Sequence, residues 1–277
     1  MQRHESLILP SSGYSIAYHR AGKGQTILLV HGITTYSFIW RKIIPLLKSS
    51  YDVIALDLLG CGTSDKPLDV SYSLNEHADR LKEFADTIGI NQFHLVGHDL
   101  GGGIAQIYSV RFPETLKTLT LVNSVAYDYW PVQPITALRT PIIRLFLMAS
   151  LDFGTFRLIV ERGLFHKERV TDDLMALFKE PFEYSEGRKA FLHFAKCLDN
   201  SNLTKLADKL RSMPVPTLLI RGDADVYLSS SIVEKLHAEL PDARLARIAT
   251  AGHFIQEDEP EWLADQLLGF IGEVHEK

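Results

Sequence analysis

The sequence predicts an α/β architecture: a mostly parallel eight-stranded sheet flanked by helices, with a helical lid inserted before the last two strands. Three observations predict it. Over the first 124 residues, short apolar runs suited to strands buried on both faces alternate with amphipathic helical patterns. From about Val125 to Met213 the alternation stops and helical, strongly apolar segments dominate. After Pro214 it resumes with two further strand–helix pairs. Strands that alternate with helices imply right-handed crossovers and helices on both faces of the sheet.

In chain order, "SLILP" and "YSIAYHRAG" read as an opening hairpin around Ser12–Gly13. The strands "TILLVHG", "YDVIALDLLG", "FHLVGHD" and "LKTLTLVNS" follow. Between them lie helices predicted over Ser37–Lys48, Leu74–Ile88 (with Ser73 as N-cap) and Leu100–Phe112. "PTLLIRGDAD" is the seventh strand, Ser229–Glu239 a helix, "ARLARIATAGH" the eighth strand and Glu257–Val274 the closing helix. Residues 1–124 and 214–277 therefore form the core domain, and 125–213 the lid. Ligands of such sheets bind beyond the carboxyl ends of the strands, which is where the lid lies.

Composition narrows the function. With 46% hydrophobic and 23% charged residues the chain is expected to be an ordinary soluble domain, monomeric or homodimeric. Net charge is −5 and the 29 basic residues are scattered, which argues against nucleic acid and anionic membranes as partners. Cys61 and Cys197 form no C-x-x-C or disulfide framework, so a cytoplasmic location is expected. The opening "MQRHESLILP" lacks a signal-peptide core, and the apolar stretch Ile142–Leu151 is interrupted by Arg144 and too short to span a bilayer. No cofactor or metal motif is present.

The chemistry centres on "LVGHDLGGGIAQ", residues 95–106, where a strand runs straight into a helix. Such a corner strains its tip residue, here Asp99, and needs small residues on either side, supplied by Gly97 and Gly101. Asp99 would then project beside the helix N-terminus. One reading is a simple helix cap, a position aspartate favours. The other is a nucleophile, and two further features favour it. "RGDAD" places Asp225 just past a strand end, with Asp223 as a competing acid that reads as a turn residue. "AGHF" places His253 in a loop on the same sheet edge, giving the order nucleophile, acid, histidine. His31 and His98 read as structural.

Together, "LLVHG", "VIALDLLGCGTSDKP", "LVGHDLGGG", "LLIRGDAD" and "ATAGHFIQEDEP" resemble the α/β-hydrolase superfamily over nearly the whole chain. The elbow aspartate resembles the branch containing haloalkane dehalogenases and epoxide hydrolases. That resemblance implies Asp99 as nucleophile, His253 as base and Asp225 as its orienting acid. It also implies an oxyanion hole made by the backbone N–H groups of Ile33 and Leu100.

An aspartate is a poor nucleophile toward esters. A tetrahedral adduct would expel the carboxylate, of pKa ~3.9, rather than an alkoxide whose conjugate acid has a pKa on the order of 15. Attack on a saturated electrophilic carbon instead leaves a stable alkyl ester of Asp99, which water activated by His253 hydrolyses. A serine esterase is disfavoured further because Ser64 and Ser124 sit on no elbow. A silent ligand-binding member of the fold would need none of the three residues.

Haloalkane dehalogenases hold the halide with side-chain N–H donors directly after the nucleophile and after "HG"; here those positions are Leu100 and Ile33. Fluoroacetate dehalogenases need arginines beside the elbow, and "DLGGGIAQ" has none. Epoxide hydrolases use lid tyrosines to protonate the alkoxide, for which Tyr127, Tyr129 and Tyr184 are the candidates. The tyrosine spacing departs from the epoxide hydrolase pattern, as does Thr34, where proline is usual. Trp130 is a candidate halide donor, though a packed aromatic is the commoner role. The expectation is a hydrolase of small apolar substrates, epoxide hydrolase-like first and haloalkane dehalogenase-like second.

Overall fold

The computed structural model describes residues 3–130, 135, 155–240 and 242–275. The stretch Ile142–Leu151 and most of the apolar lid segment from Ile135 to Phe165 lie outside the described residues. Eight strands form one sheet in the order β1-β2-β4-β3-β5-β6-β7-β8. These are β1 (Arg3–Ile8), β2 (Ser15–Ala21), β3 (Thr26–Val30), β4 (Asp52–Leu56), β5 (Phe93–Asp99), β6 (Leu116–Ser124), β7 (Thr217–Gly222) and β8 (Arg244–Ile248). The opening hairpin β1–β2 is antiparallel, β2 is also antiparallel to β4, and every other pairing is parallel.

The central strands β3, β4 and β5 are buried along their whole length, as apolar runs without alternation require. β8 lies at the sheet edge and carries exposed Arg244 and Arg247, charges that discourage pairing with another chain. Helix Leu74–Thr87 starts where Ser73 accepts from Glu76 N at 3.3 Å. Between β6 and β7 the described residues include helices Thr155–Gly163, Asp172–Lys179 and Ser185–Cys197 and no strand.

Three predicted elements differ from what is found. Ser37–Lys48 is a 3₁₀ turn, Ser37–Trp40, followed by a short helix, Ile44–Leu47. Pro45 has no N–H to give a preceding turn and its ring crowds it, so one continuous helix cannot form. The last helix is Ile255–Asp258 followed by Pro260–His275, because Glu259 precedes a proline and is driven out of the helical region to φ −142°. The eighth strand ends at Ile248 rather than running on, since Ala249 and Thr250 turn the chain toward the His253 loop. Both cysteines are free thiols. Among the described residues no helix is long and apolar enough to cross a membrane.

Candidate active site

Because β3, β5, β7 and β8 are parallel, the segments that leave their carboxyl ends converge on one edge. Asp99 is the tip between β5 and helix Leu100–Arg111, held at φ 53° and ψ −119°. A left-handed non-glycine residue costs about 1–3 kcal/mol, and such strain persists only where surrounding packing enforces it. Here the packing is glycine backbone. A Cβ on Gly101 would meet Val30 O at 2.4 Å and His31 O at 2.5 Å, so the helix crosses β3 with no room for a side chain. Gly32 faces Asp99 as closely, since a Cβ there would sit 2.4 Å from Asp99 Oδ2.

The Asp99 side chain makes no helix-capping hydrogen bond. Its Oδ2 instead accepts from Ile33 N at 3.1 Å, with Leu100 N–H as a further stabilising donor. Burial pushes the Asp99 carboxyl above its usual value; the His253 charge and the two backbone donors oppose that push without cancelling it.

His253 lies in the loop after β8 and is buried against Tyr227, His98 and Phe254. Its Nδ1–H donates to Asp225 Oδ2 at 3.0 Å, which leaves Nε2 free for proton transfer. Asp225 Oδ1 accepts from Tyr227 N and Leu228 N at 2.8 and 3.1 Å. Asp223 takes no part, because its Oδ1 accepts from Arg247 Nε near the surface. Burial alone would depress the His253 pKa; the Asp225 carboxylate, by charge and hydrogen bond, and Asp99 more than reverse it, so it is raised above 6.5. Burial pushes Asp225 up, but the His253 charge and hydrogen bond and Arg221 outweigh it, and the acid is lowered.

A raised histidine pKa fixes the sign of the pH response. As pH falls through that value Nε2 becomes protonated and cannot accept a proton from water. With His253 as the base, kcat should therefore fall on the acid side as the imidazole takes up a proton. A kcat that stays flat as pH is lowered would mean that His253 does not serve as the base.

The two structural histidines carry loops. His31 Nδ1–H donates to Gly32 O at 2.7 Å and its Nε2 accepts from Leu58 N at 3.0 Å, so it is held neutral behind the Ile33 turn. His98, pushed down to about 3 chiefly by burial, donates through Nε2 to His253 O at 2.9 Å.

Three supporting groups escaped the sequence reading. Asn123, at φ 38°, donates to Gly252 O and His253 O at 2.9 and 3.0 Å and accepts from Gly222 N at 3.1 Å, tying the histidine loop to β7. Asp258 accepts from Gly252 N, Phe165 N and His166 N at 2.8–2.9 Å, so one buried carboxylate joins that loop to the chain leaving helix Thr155–Gly163. The same junction brings Phe254 N onto Gly163 O, and a Cβ on Gly252 would meet that oxygen at 2.4 Å. Arg221 contacts Asp225 from beneath. The available signal was charge or amide inside apolar text: "TLLIRG", "TLVNS" and "HFIQED".

Above the histidine, Phe254 packs on Phe178, which packs on Phe38, while Phe156 joins Phe178 and Phe182. The roof is aromatic and apolar. The lid donors named from sequence are placed elsewhere. Tyr127 OH donates to Glu239 at 2.8 Å, and Trp130 Nε1–H donates to Tyr127 O at 3.1 Å. Tyr129 is 41% exposed, and Tyr184, 67% exposed, lines a surface cleft of about 390 Å³ with Tyr36, Lys66 and Glu186. Their hydroxyl and indole donors are thus committed to Glu239 and a carbonyl or turned to the surface. Among the described residues no cluster of His, Cys, Asp or Glu could hold a metal ion.

The sequence model of the alpha/beta hydrolase fold matches residues 25–260. Haloalkane dehalogenase 2 of Mycobacterium tuberculosis is 30% identical over 97% of this chain and 95% of its own. The cis-3-alkyl-4-alkyloxetan-2-one decarboxylase of Shewanella oneidensis is 28% identical over 96% of this chain and 88% of its own. Epoxide hydrolase 4 of Mus musculus is 28% identical over 96% of this chain and 78% of its own.

Proposed function

The chain belongs to the alpha/beta hydrolase fold family and is a hydrolase of it, and from that premise we propose that it works through an alkyl ester on Asp99, opening a strained oxygen ring in a small apolar substrate. One observation carries the reading: the Asp99 carboxylate is turned away from helix capping and set on the Ile33 N–H at a strained elbow. In the first step an Asp99 oxygen attacks a ring carbon and the ring C–O bond breaks, the ring oxygen leaving as a carboxylate from an oxetan-2-one or, from an epoxide, as an alkoxide that takes a proton from water. In the second, His253 takes a proton from water, which attacks the ester carbonyl. The oxyanion then forms on the Asp99 oxygen that accepts from Ile33 N, with the Leu100 N–H as a further donor to the same carboxyl group. Asp225 holds the imidazole with Nε2 outward and stabilises its protonated form. Residues 125–213 serve as the lid, and the aromatic roof selects apolar substrates.

An epoxide is the first substrate class, favoured over haloalkanes because Ile33 and Leu100 offer no side-chain halide donor. The commitment of Tyr127 and Trp130 to other partners supports a second class, the oxetan-2-one ring named for the Shewanella relative. Alkyl C–O cleavage of that ring expels a carboxylate of pKa about 4, which leaves without a proton donor. The resulting ester is either hydrolysed to a hydroxy acid or loses CO₂, the C–C electron pair forming an alkene as Asp99 leaves.

One turnover in ¹⁸O-labelled water, with enzyme in excess over a terminal epoxide or a dialkyl oxetan-2-one, tests both. The oxygen delivered to carbon comes from Asp99, so the first-turnover diol or hydroxy acid should carry no label. Repeated turnovers should load label into the Asp99 peptide. Label in the first product would refute the ester. Alkene release would select the decarboxylating route.

A further inference from the structure

We propose that Arg221 is a positioning residue for this reaction: its buried guanidinium grips Asp225 by both carboxylate and main-chain carbonyl, and so sets how strongly the acid holds a protonated His253. The inference rests on His253 acting as the base of ester hydrolysis.

Arg221 lies in β7 after Leu218, Leu219 and Ile220, on a strand buried along its whole length, and is itself only 4% exposed. A guanidinium in such a place is costly unless a partner holds it. Its Nη1 lies 3.3 Å from Asp225 Oδ2 and its Nη2 donates to Asp225 O at 3.1 Å. The carboxylate oxygen it approaches is the one that accepts from His253 Nδ1 at 3.0 Å. Two cations therefore share one oxygen. The Arg221 charge is permanent, and that of His253 comes and goes with each proton it takes from water.

The surrounding charges leave this competition unmasked. Asp223, Glu234 and Arg247 also act on Arg221, but Arg247 pairs with both acids near the surface, and among the described residues Asp225 is the carboxylate in contact with the guanidinium. Around His253 stand Asp225, Asp99 and Arg221, with the uncharged rings of His98 and Tyr227. Of these charges Arg221 alone opposes protonation of the imidazole. A base that released its proton too reluctantly would stall after the ester is cleared. The guanidinium counters that without leaving Asp225 free to turn, because its second contact is to the main chain.

The experiment reads His253 directly, by ring ¹⁵N and ¹³C chemical shifts across pH in the full-length protein, beside the kcat–pH profile. Arg221→Met should move the His253 titration and the acid limb of kcat upward together, by about one pH unit. Arg221→Gln, neutral but able to donate to the Asp225 carbonyl, should show the same shift and serves if the methionine variant does not fold. Arg221→Lys keeps the charge and loses the fork, so it should leave the titration near the wild-type value while lowering kcat. A folded methionine or glutamine variant with an unmoved titration would reduce Arg221 to a packing role and overturn the proposal. The titration needs no substrate. A shifted titration in a protein that forms no ester on Asp99 would therefore sink the functional reading, and with it the role in this reaction, while leaving the hold of Arg221 on the Asp225–His253 pair standing.

Discussion

Substitution of His253 by alanine is expected to arrest the enzyme after its first chemical step and leave the substrate esterified to Asp99. In the proposed mechanism the attack of Asp99 on the ring carbon needs no base. Only release of the ester requires a base to deprotonate water, and such a base contributes roughly 10²–10⁴-fold. The variant should fold, because Asp225 keeps the Tyr227 and Leu228 N–H groups and Arg221 after the imidazole is gone. Intact-mass measurement after incubation with an epoxide or oxetan-2-one should show one adduct per chain, and peptide mapping should place it on Asp99. Wild-type turnover by His253→Ala, or an adduct on another peptide, would remove His253 from the mechanism.

The second large effect is on folding. Gly97→Ala should unfold the protein at markedly lower temperature, because the added Cβ would lie 2.4 Å from Gly101 O and 2.7 Å from Gly102 Cα. Those are backbone atoms of the helix that the elbow launches, and neither can rotate aside. Overpacking of this kind costs about 3 kcal/mol or more where the surroundings cannot yield. For a domain of this size that corresponds to a fall in Tm of about 5 °C or more. Gly269→Ala is the internal control, since a Cβ there meets nothing within 4 Å and alanine is the better helix former. Thermal unfolding of both should show a large drop for the first and none for the second. Equal Tm values would mean that strand and helix can part at the elbow without penalty.

These two residues also show what a sequence can disclose. Gly97 and Asp99 are legible because the elbow is local: five consecutive residues must satisfy one backbone geometry, and few residue types can. The parallel strands are legible because burial on both faces leaves runs such as "TILLV" with no polar interruption. Pro45 and Pro260 mark the helix breaks in the sequence, but the apolar periodicity that runs through both disguises them. The lid chemistry was not legible. Whether Tyr127 can reach a substrate depends on Glu239, 112 residues away, and no local pattern records that pairing. Arg221, Asn123 and Asp258 were passed over for the same reason, since each acts through a contact made only when distant loops meet.

The junction at Asp258 bears on how such enzymes diversify. A lid exchanged between relatives is usually pictured as a module with free ends, grafted wherever the chain enters and leaves it. Here the chain at 163–166 is docked on the segment that carries His253: Gly163 O takes Phe254 N, and Asp258 holds Phe165, His166 and Gly252 at once. A transplanted lid would have to bring a backbone of the same shape to this point, with nothing that displaces Gly163 O from its close approach to Gly252. Substrate range can then drift through the aromatic roof, while the seam beside His253 stays under the same steric terms as the His253 loop itself. New specificities in this scaffold should arise by substitution within the lid more readily than by its wholesale replacement.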